Sequence, residues 1–234
     1  MPLKTVLAWV GMSGLIGSAA TAAPGETSDL EVTARLVHER HVFIARADAE
    51  GYRVCPAPQI KLADPASFGR FDPETNTVFV ATWSRLSAAQ RERFGSLAEH
   101  SGGGASAEAM FAEGTYGWVF VHELGHWWQA CRKLTRVHSY GAEGGANRIA
   151  LAFWREQDPE LAARILDTFR YLQAAIASPV PAGMPKEQYL DDHFLLVAES
   201  RGYTWYQADM TLELAAESPR PSFHKALSQP LYPW

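Results

Sequence analysis

Past residue 22 the 234-residue chain has no run of about 18 uninterrupted apolar residues, which excludes a helical membrane span there. It has no repeat at a period of roughly 20 to 50 residues either, so solenoids and propellers drop out. Positive charge is scarce: 21 Lys and Arg stand against 26 Asp and Glu, for a net charge of −5. The longest basic cluster, Arg132-Lys133 with Arg136, is too short to track phosphates. A nucleic-acid partner is therefore excluded, and the cluster reads as a solvated helix end. Cysteine is limited to Cys55 and Cys131. In an oxidising compartment these two have only each other to pair with, closing a loop worth roughly 4 kcal/mol in the chain-entropy model. Two buried thiols are the alternative, because sequence does not fix their Cα separation.

What is present is an ordinary globular composition, 47% hydrophobic, 12% aromatic and 20% charged, with one domain as the natural count. Residues 1–22 differ from the rest. One charge (Lys4), an apolar stretch over residues 6–16 and the small residues Ala20-Thr21-Ala22 follow the order of a secretory signal peptide, which implies a secreted or periplasmic protein with no stable membrane insertion after cleavage. A buried first helix would be weakened by Gly11, Gly14 and Gly17. Cleavage removes only Lys4, taking the basic count from 21 to 20 and the net charge from −5 to −6. A domain spanning residues 23–234 can bury about 70% of its unfolded surface. It needs no metal to fold, so any metal serves chemistry.

Leu30, Ala34, Val37, His41, Ile44 and Ala47 recur at spacings of three and four and predict a helix over residues 29–49. Short strands are expected at residues 59–63 and 68–71. The turn cluster Asp72-Pro73-Glu74-Thr75-Asn76 then leads into the strongest strand signal, residues 77–83, to form a hairpin. Ser87 with Gln90 predicts a capped helix to about Leu97. The run Gly102-Gly103-Gly104 separates this half from a helical one and reads as a mobile lid. Helices are expected over residues 107–134, broken near Gly114 to Gly117, and over 143–157, 159–177, 186–200 and 204–218.

The motif that can carry chemistry is His122-Glu123-Leu124-Gly125-His126. Four residues turn an α-helix by about 400°, so both imidazoles leave nearly the same face one turn apart and can share a metal ion. Glu123 sits one step round. From there a carboxylate takes a proton from water and passes it to a leaving amine. The flanks Val119-Phe120-Val121 and Trp127-Trp128 are uncharged, and proline is absent from residues 115–134, which predicts a buried helix. Gly125 costs about 1 kcal/mol of helix propensity relative to Ala, which predicts a close backbone neighbour.

A catalytic zinc takes three protein ligands and leaves one position for water. Six residues after His126 stands Arg132, so no histidine ligates from there. Glu143, 17 positions after His126, opens a helix whose stripe holds Glu143, Ala146, Asn147, Ala150, Phe153 and Trp154. A carboxylate on an otherwise inward face needs a partner. Ala146 is small enough to let two helices approach, and Asn147 can orient a ligating imidazole. Glu143 also fits a plain role at a helix N-terminus, and His138 in the linker competes as third ligand. Cys131 points about 140° away from His126. His38 and His41 read as solvated surface histidines.

His122-Glu123-x-x-His126 followed by Glu143-x-x-Ala146-Asn147 resembles the gluzincin zinc metallopeptidases over about 30 residues of the chain. That resemblance implies one Zn2+ ion held by His122, His126 and Glu143, with Glu123 as general base and Asn147, where many members carry Asp, behind the ligands. It implies an α+β, zincin-like fold with a small antiparallel sheet or hairpin in the N-terminal half, an active-site helix and a mostly helical C-terminal half. Residues 77–83 would be the edge strand along which a peptide or protein substrate lies. The family also uses a downstream Tyr or His to support the oxyanion. His193 and Tyr203 are the choices here, with Tyr189 and Tyr206 also eligible and a Tyr-rich core as the plain alternative. Two other functions fit the same residues: a zincin-like module that binds or assembles without cleaving, and a zinc hydrolase of a non-peptide amide.

Overall fold

Ser28 and Glu31 start the first helix reciprocally. The serine hydroxyl accepts from the Glu31 N–H, and the Glu31 carboxylate accepts from the Ser28 N–H at 2.9 Å, so two orphan donors are satisfied at once. The computed structural model describes residues 27–53, 55–63, 67–101, 104–134 and 138–233. The expected signal peptide, and Gly102 and Gly103 of the expected lid, lie outside them. Helix α1 (Asp29–Ala49) buries Val32, Leu36, Phe43 and Ala47; of the expected stripe only Ala47 is fully enclosed, and its first member Leu30 is 80% exposed. The row carrying Phe43 wins because that ring meets Trp127, Phe153 and Phe223 at centroid distances of 6.3, 5.5 and 5.3 Å. An aromatic ring removes more area from water than Ala34 or Val37.

Three strands follow: β1 (Gln59–Leu62), β2 (Gly69–Asp72) and β3 (Thr77–Val80). β2 and β3 form the expected antiparallel hairpin, with Gly69 opposite Val80 and Asp72 opposite Thr77. The Asp72 carboxylate ties the turn by accepting from the Glu74 N–H and the Thr75 hydroxyl. β1, however, pairs parallel to β3, so the sheet is mixed and its order is β1-β3-β2. This corrects two expectations. The sheet is not purely antiparallel, and β3 is its centre rather than an edge. The reason is burial: Thr77, Val78 and Val80 are fully enclosed, as the most apolar strand of a covered sheet must be.

Helix α2 (Ala88–His100) starts at the expected Ser87–Gln90 capping box. Helix α3 (Ala107–Ala112) continues through a π-helical stretch, Glu113–Val119, into α4 (Phe120–Cys131). The glycines at 114 and 117 thus widen the helix instead of breaking it, and such wide turns recur beside functional sites. The rest is helical: α5 (Tyr140–Gln157), α6 (Pro159–Ala175), α7 (Lys186–Ala198), α8 (Arg201–Ala216) and the unexpected short α9 (Phe223–Ser228). The fold is therefore α+β, with its small sheet confined to the N-terminal half. One apolar core runs from α1 and β3 through α4 to α5, α6 and α9. The buried indoles are satisfied, Trp127 donating to the Pro56 carbonyl and Trp128 to that of Leu227, as polar handles in a core require.

Cys55 and Cys131 form a disulfide, Cα to Cα 5.7 Å across a separation of 76 residues, which ties the segment before β1 to the end of α4. A loop of that length stabilises by about 4 kcal/mol through the unfolded chain. Replacing both cysteines by serine should therefore lower the unfolding free energy by about that amount in urea denaturation without reductant. An unchanged midpoint would show that the cross-link contributes nothing.

Candidate metal centre

The centre lies where α4 and α5 cross. α4 is buried nearly all round, with Phe120, Val121, Leu124 and Trp128 wholly enclosed, so its polar residues must find partners inside. Gly125 marks the crossing. A Cβ built there would stand 2.9 Å from the Ala146 Cα and 3.1 Å from its Cβ. That is the close backbone neighbour its presence predicts, and Ala146 supplies the matching small residue on α5. Ser139 caps α5 by accepting from the Ala142 N–H, which places Glu143 in the first turn, facing α4.

The crossing brings His122, His126 and Glu143 together, all buried, with donor atoms within 4.8 Å of one another. His122 Nε2 lies 3.1 Å from His126 Nε2 and 3.3 Å from Glu143 Oε2, and His126 Nε2 lies 3.6 Å from Glu143 Oε1. The far sides of both rings are hydrogen-bonded. His122 Nδ1 donates to Asn147 Oδ1 at 2.8 Å, and His126 Nδ1 donates to Gln129 Oε1 at 2.9 Å. Gln129 cannot be turned over, because its Nε2 already donates to the Ala142 and Pro230 carbonyls, each at 2.7 Å. An amide oxygen only accepts, so His126 Nδ1 carries the hydrogen and its Nε2 lone pair points into the group; the Asn147 oxygen turned to His122 does the same there, although its Nδ2, buried with no hydrogen-bond partner among the described residues, does not hold that orientation. Two lone pairs and a carboxylate at this spacing repel unless a cation lies among them. These residues can hold a metal ion.

The electrostatics agree. Burial raises the Glu143 carboxyl, but the facing His126 and His122 hold it well below the ordinary carboxylate range. Burial lowers His126, yet the Glu143 charge and hydrogen bond outweigh it and carry the imidazole up to about 9. Both shifts express one attraction, between the buried carboxylate and the imidazole that faces it. Glu143 Oε2 also accepts from the Tyr203 hydroxyl at 2.8 Å and from Gln207 Nε2 at 2.9 Å. Burial, then the neighbouring Glu143 charge, push Tyr203 well above a normal phenol. It remains a hydrogen-bond donor at any working pH.

Glu123 lies beside this group and not in it. Its Oε2 accepts the Phe71 N–H of β2 at 2.7 Å, so the outer edge of the sheet aims the carboxylate. Asn147 stands where the sequence put it. Tyr203 reaches the centre, whereas His193 does not: it is exposed, stacks on Tyr189 and bonds that residue's carbonyl. The helix kinks at His193, and its ring follows the outer side of α7. Tyr206 bonds the Lys186 carbonyl. His138 is exposed and lies against Phe194, outside the ligand group, and His38 and His41 are exposed as expected. Arg132 departs from the solvated reading, its guanidinium stacking 4.1 Å over the Trp128 ring.

Gln129, Gln207 and the Phe71 amide were not expected. A signal existed for the first two, since Gln129 lies three residues after His126 and Gln207 four after Tyr203, each on the same helix face as its neighbour. Comparison with protein-family models, with curated proteins and with solved structures gives no significant match to the chain.

Proposed function

We propose that the chain is a zinc-dependent peptidase of gluzincin type on a zincin-like fold. The observation that carries this reading is the convergence of three donors with both Nδ1 atoms hydrogen-bonded on the far side. Bonds of about 2.0–2.1 Å to a tetrahedral zinc put neighbouring donors about 3.3 Å apart. The measured separations of 3.1, 3.3 and 3.6 Å bracket that value. Imidazole and carboxylate together also suit zinc better than calcium or magnesium, which favour oxygen alone.

A bound zinc ion supplies charge to polarise a carbonyl and acidify water towards a pKa of about 7. The chain's own groups do the rest. Glu123 accepts the proton of the attacking water and returns it to the leaving amine. The Tyr203 hydroxyl, whose one hydrogen now goes to Glu143 Oε2, would serve the oxyanion of the substrate by turning from that carboxylate to it, and Asn147 and Gln129 keep the imidazoles from turning. The disulfide supports an exported protein, in keeping with the signal-like residues 1–22.

The test is metal analysis joined to a cleavage assay. Purified protein should carry about one zinc per chain. It should cleave members of an internally quenched peptide library, lose that activity to a chelator and regain it with zinc. One observation favours a second reading, a metal-holding module that does not cleave: Glu123 is only 7% exposed and His126 only 8%. Stoichiometric zinc without cleavage of any peptide or simple amide would select that module, and a zinc content far below one would reject the metal centre.

A further inference from the structure

We propose that residues 229–233 form a strap that positions His126 for metal binding, acting through Gln129. This inference rests on the zinc reading above. α5 carries two glycines directly after its ligand, Gly144 and Gly145, although glycine is the poorest helix former after proline. Both lie under the strap. A Cβ on Gly145 would overlap the Pro230 carbonyl and stand 2.9 Å from Gln129 Nε2, and one on Gly144 would stand 2.9 Å from the Tyr232 Cβ. The Tyr232 N–H donates to the Gly141 carbonyl at 2.8 Å, so the strap is bonded to the helix at the turn that bears Glu143.

The seated strap presents the Pro230 carbonyl to Gln129, a residue only 1% exposed. With Ala142 and Pro230 each taking one N–H, the amide must turn its oxygen to His126 Nδ1. A reversed amide would aim an N–H at Nδ1 and drive the imidazole's hydrogen onto Nε2, where no metal could be ligated. The strap therefore selects the metal-binding form of His126 through Gln129, which lies 101 residues before Pro230 in sequence. Gln129 and the strap are positioning elements and touch neither metal nor substrate.

The experiment is a double-mutant cycle on zinc affinity, read by competition with a chromophoric chelator, in the full-length chain. Gly145→Ala unseats the Pro230 carbonyl, and Gln129→Met removes the amide at similar volume. Each should weaken zinc binding by about 10–100-fold. Together they should weaken it no more than Gln129→Met alone, because both act on one link. Tyr232→Ala, which loosens the strap without adding an atom, enters the same cycle and decides the matter if Gly145→Ala does not fold by circular dichroism. Wild-type affinity in the strap variants, or losses that multiply in the double variants, would overturn the inference while leaving the zinc reading intact. A wild-type chain that binds no zinc would overturn both.

Discussion

Glu123→Gln is expected to leave zinc bound at the wild-type stoichiometry and to lower peptide hydrolysis by about 10²–10⁴-fold, the usual contribution of a positioned general base. The substitution is a clean one here. Glutamine matches glutamate in size, and its amide oxygen can still accept the Phe71 N–H that now bonds Glu123 Oε2 at 2.7 Å. The outer edge of β2 thus keeps its contact with α4. Only the capacity to take up a proton is lost. Zinc should be retained because the donor group is His122, His126 and Glu143. The measurement is kcat on a peptide cleaved by the wild type, with zinc content determined on the same sample. Retention of most activity would remove Glu123 from the mechanism, and loss of zinc in parallel would move it into the ligand set.

How much of this centre the sequence discloses depends on the kind of residue involved. His122 and His126 are legible because a helix period forces their meeting, and Glu143 because an acid on an inward stripe has to be explained. Gly125 announces its close neighbour by its helix penalty. Gln129 and Gln207 make no such demand. An amide sits on a helix surface without cost, so its spacing is only a faint signal, and the role of Gln129 appears in full only when the Pro230 carbonyl arrives from far along the chain. The Phe71 N–H is less visible still, since a backbone donor has no residue type.

The same distinction governs the fold. The Ser28 and Ser87 caps are local chemistry and match the expected helix starts. The pairing of β1 with β3 is set by which strand needs cover on both sides, and four residues of β1 do not contain that information. The inward face of α1 is likewise decided by Trp127, Phe153 and Phe223, which lie far away in sequence. Short α9, with Phe223, Ala226 and Leu227 buried, follows a proline-rich stretch and offers too few turns for its period to stand out.

Glu143→Gln should weaken zinc binding by roughly 1,000-fold, more than any change behind the ligands. Two unit charges about 4 Å apart at an effective dielectric of about 20 are worth about 4 kcal/mol, which corresponds to that factor and is a floor for a divalent ion. A carboxylate 2% exposed lies no farther than this from a cation shared with the imidazoles. The isosteric amide can still accept one of the bonds from Tyr203 and Gln207, so the metal-free fold should survive. Thermal melting then separates binding from folding. At zinc 1,000-fold above the wild-type Kd the wild type gains about 4 kcal/mol, while a variant bound 1,000-fold more weakly gains about 0.4 kcal/mol. For a chain of this size these become shifts of about 8–16 °C and under about 2 °C. A full zinc-induced shift in the variant would mean that another donor completes the site. Glu143 would then be an ordinary carboxylate at the start of a helix, and the exposed His138 of the α4–α5 connection would be the next residue to replace.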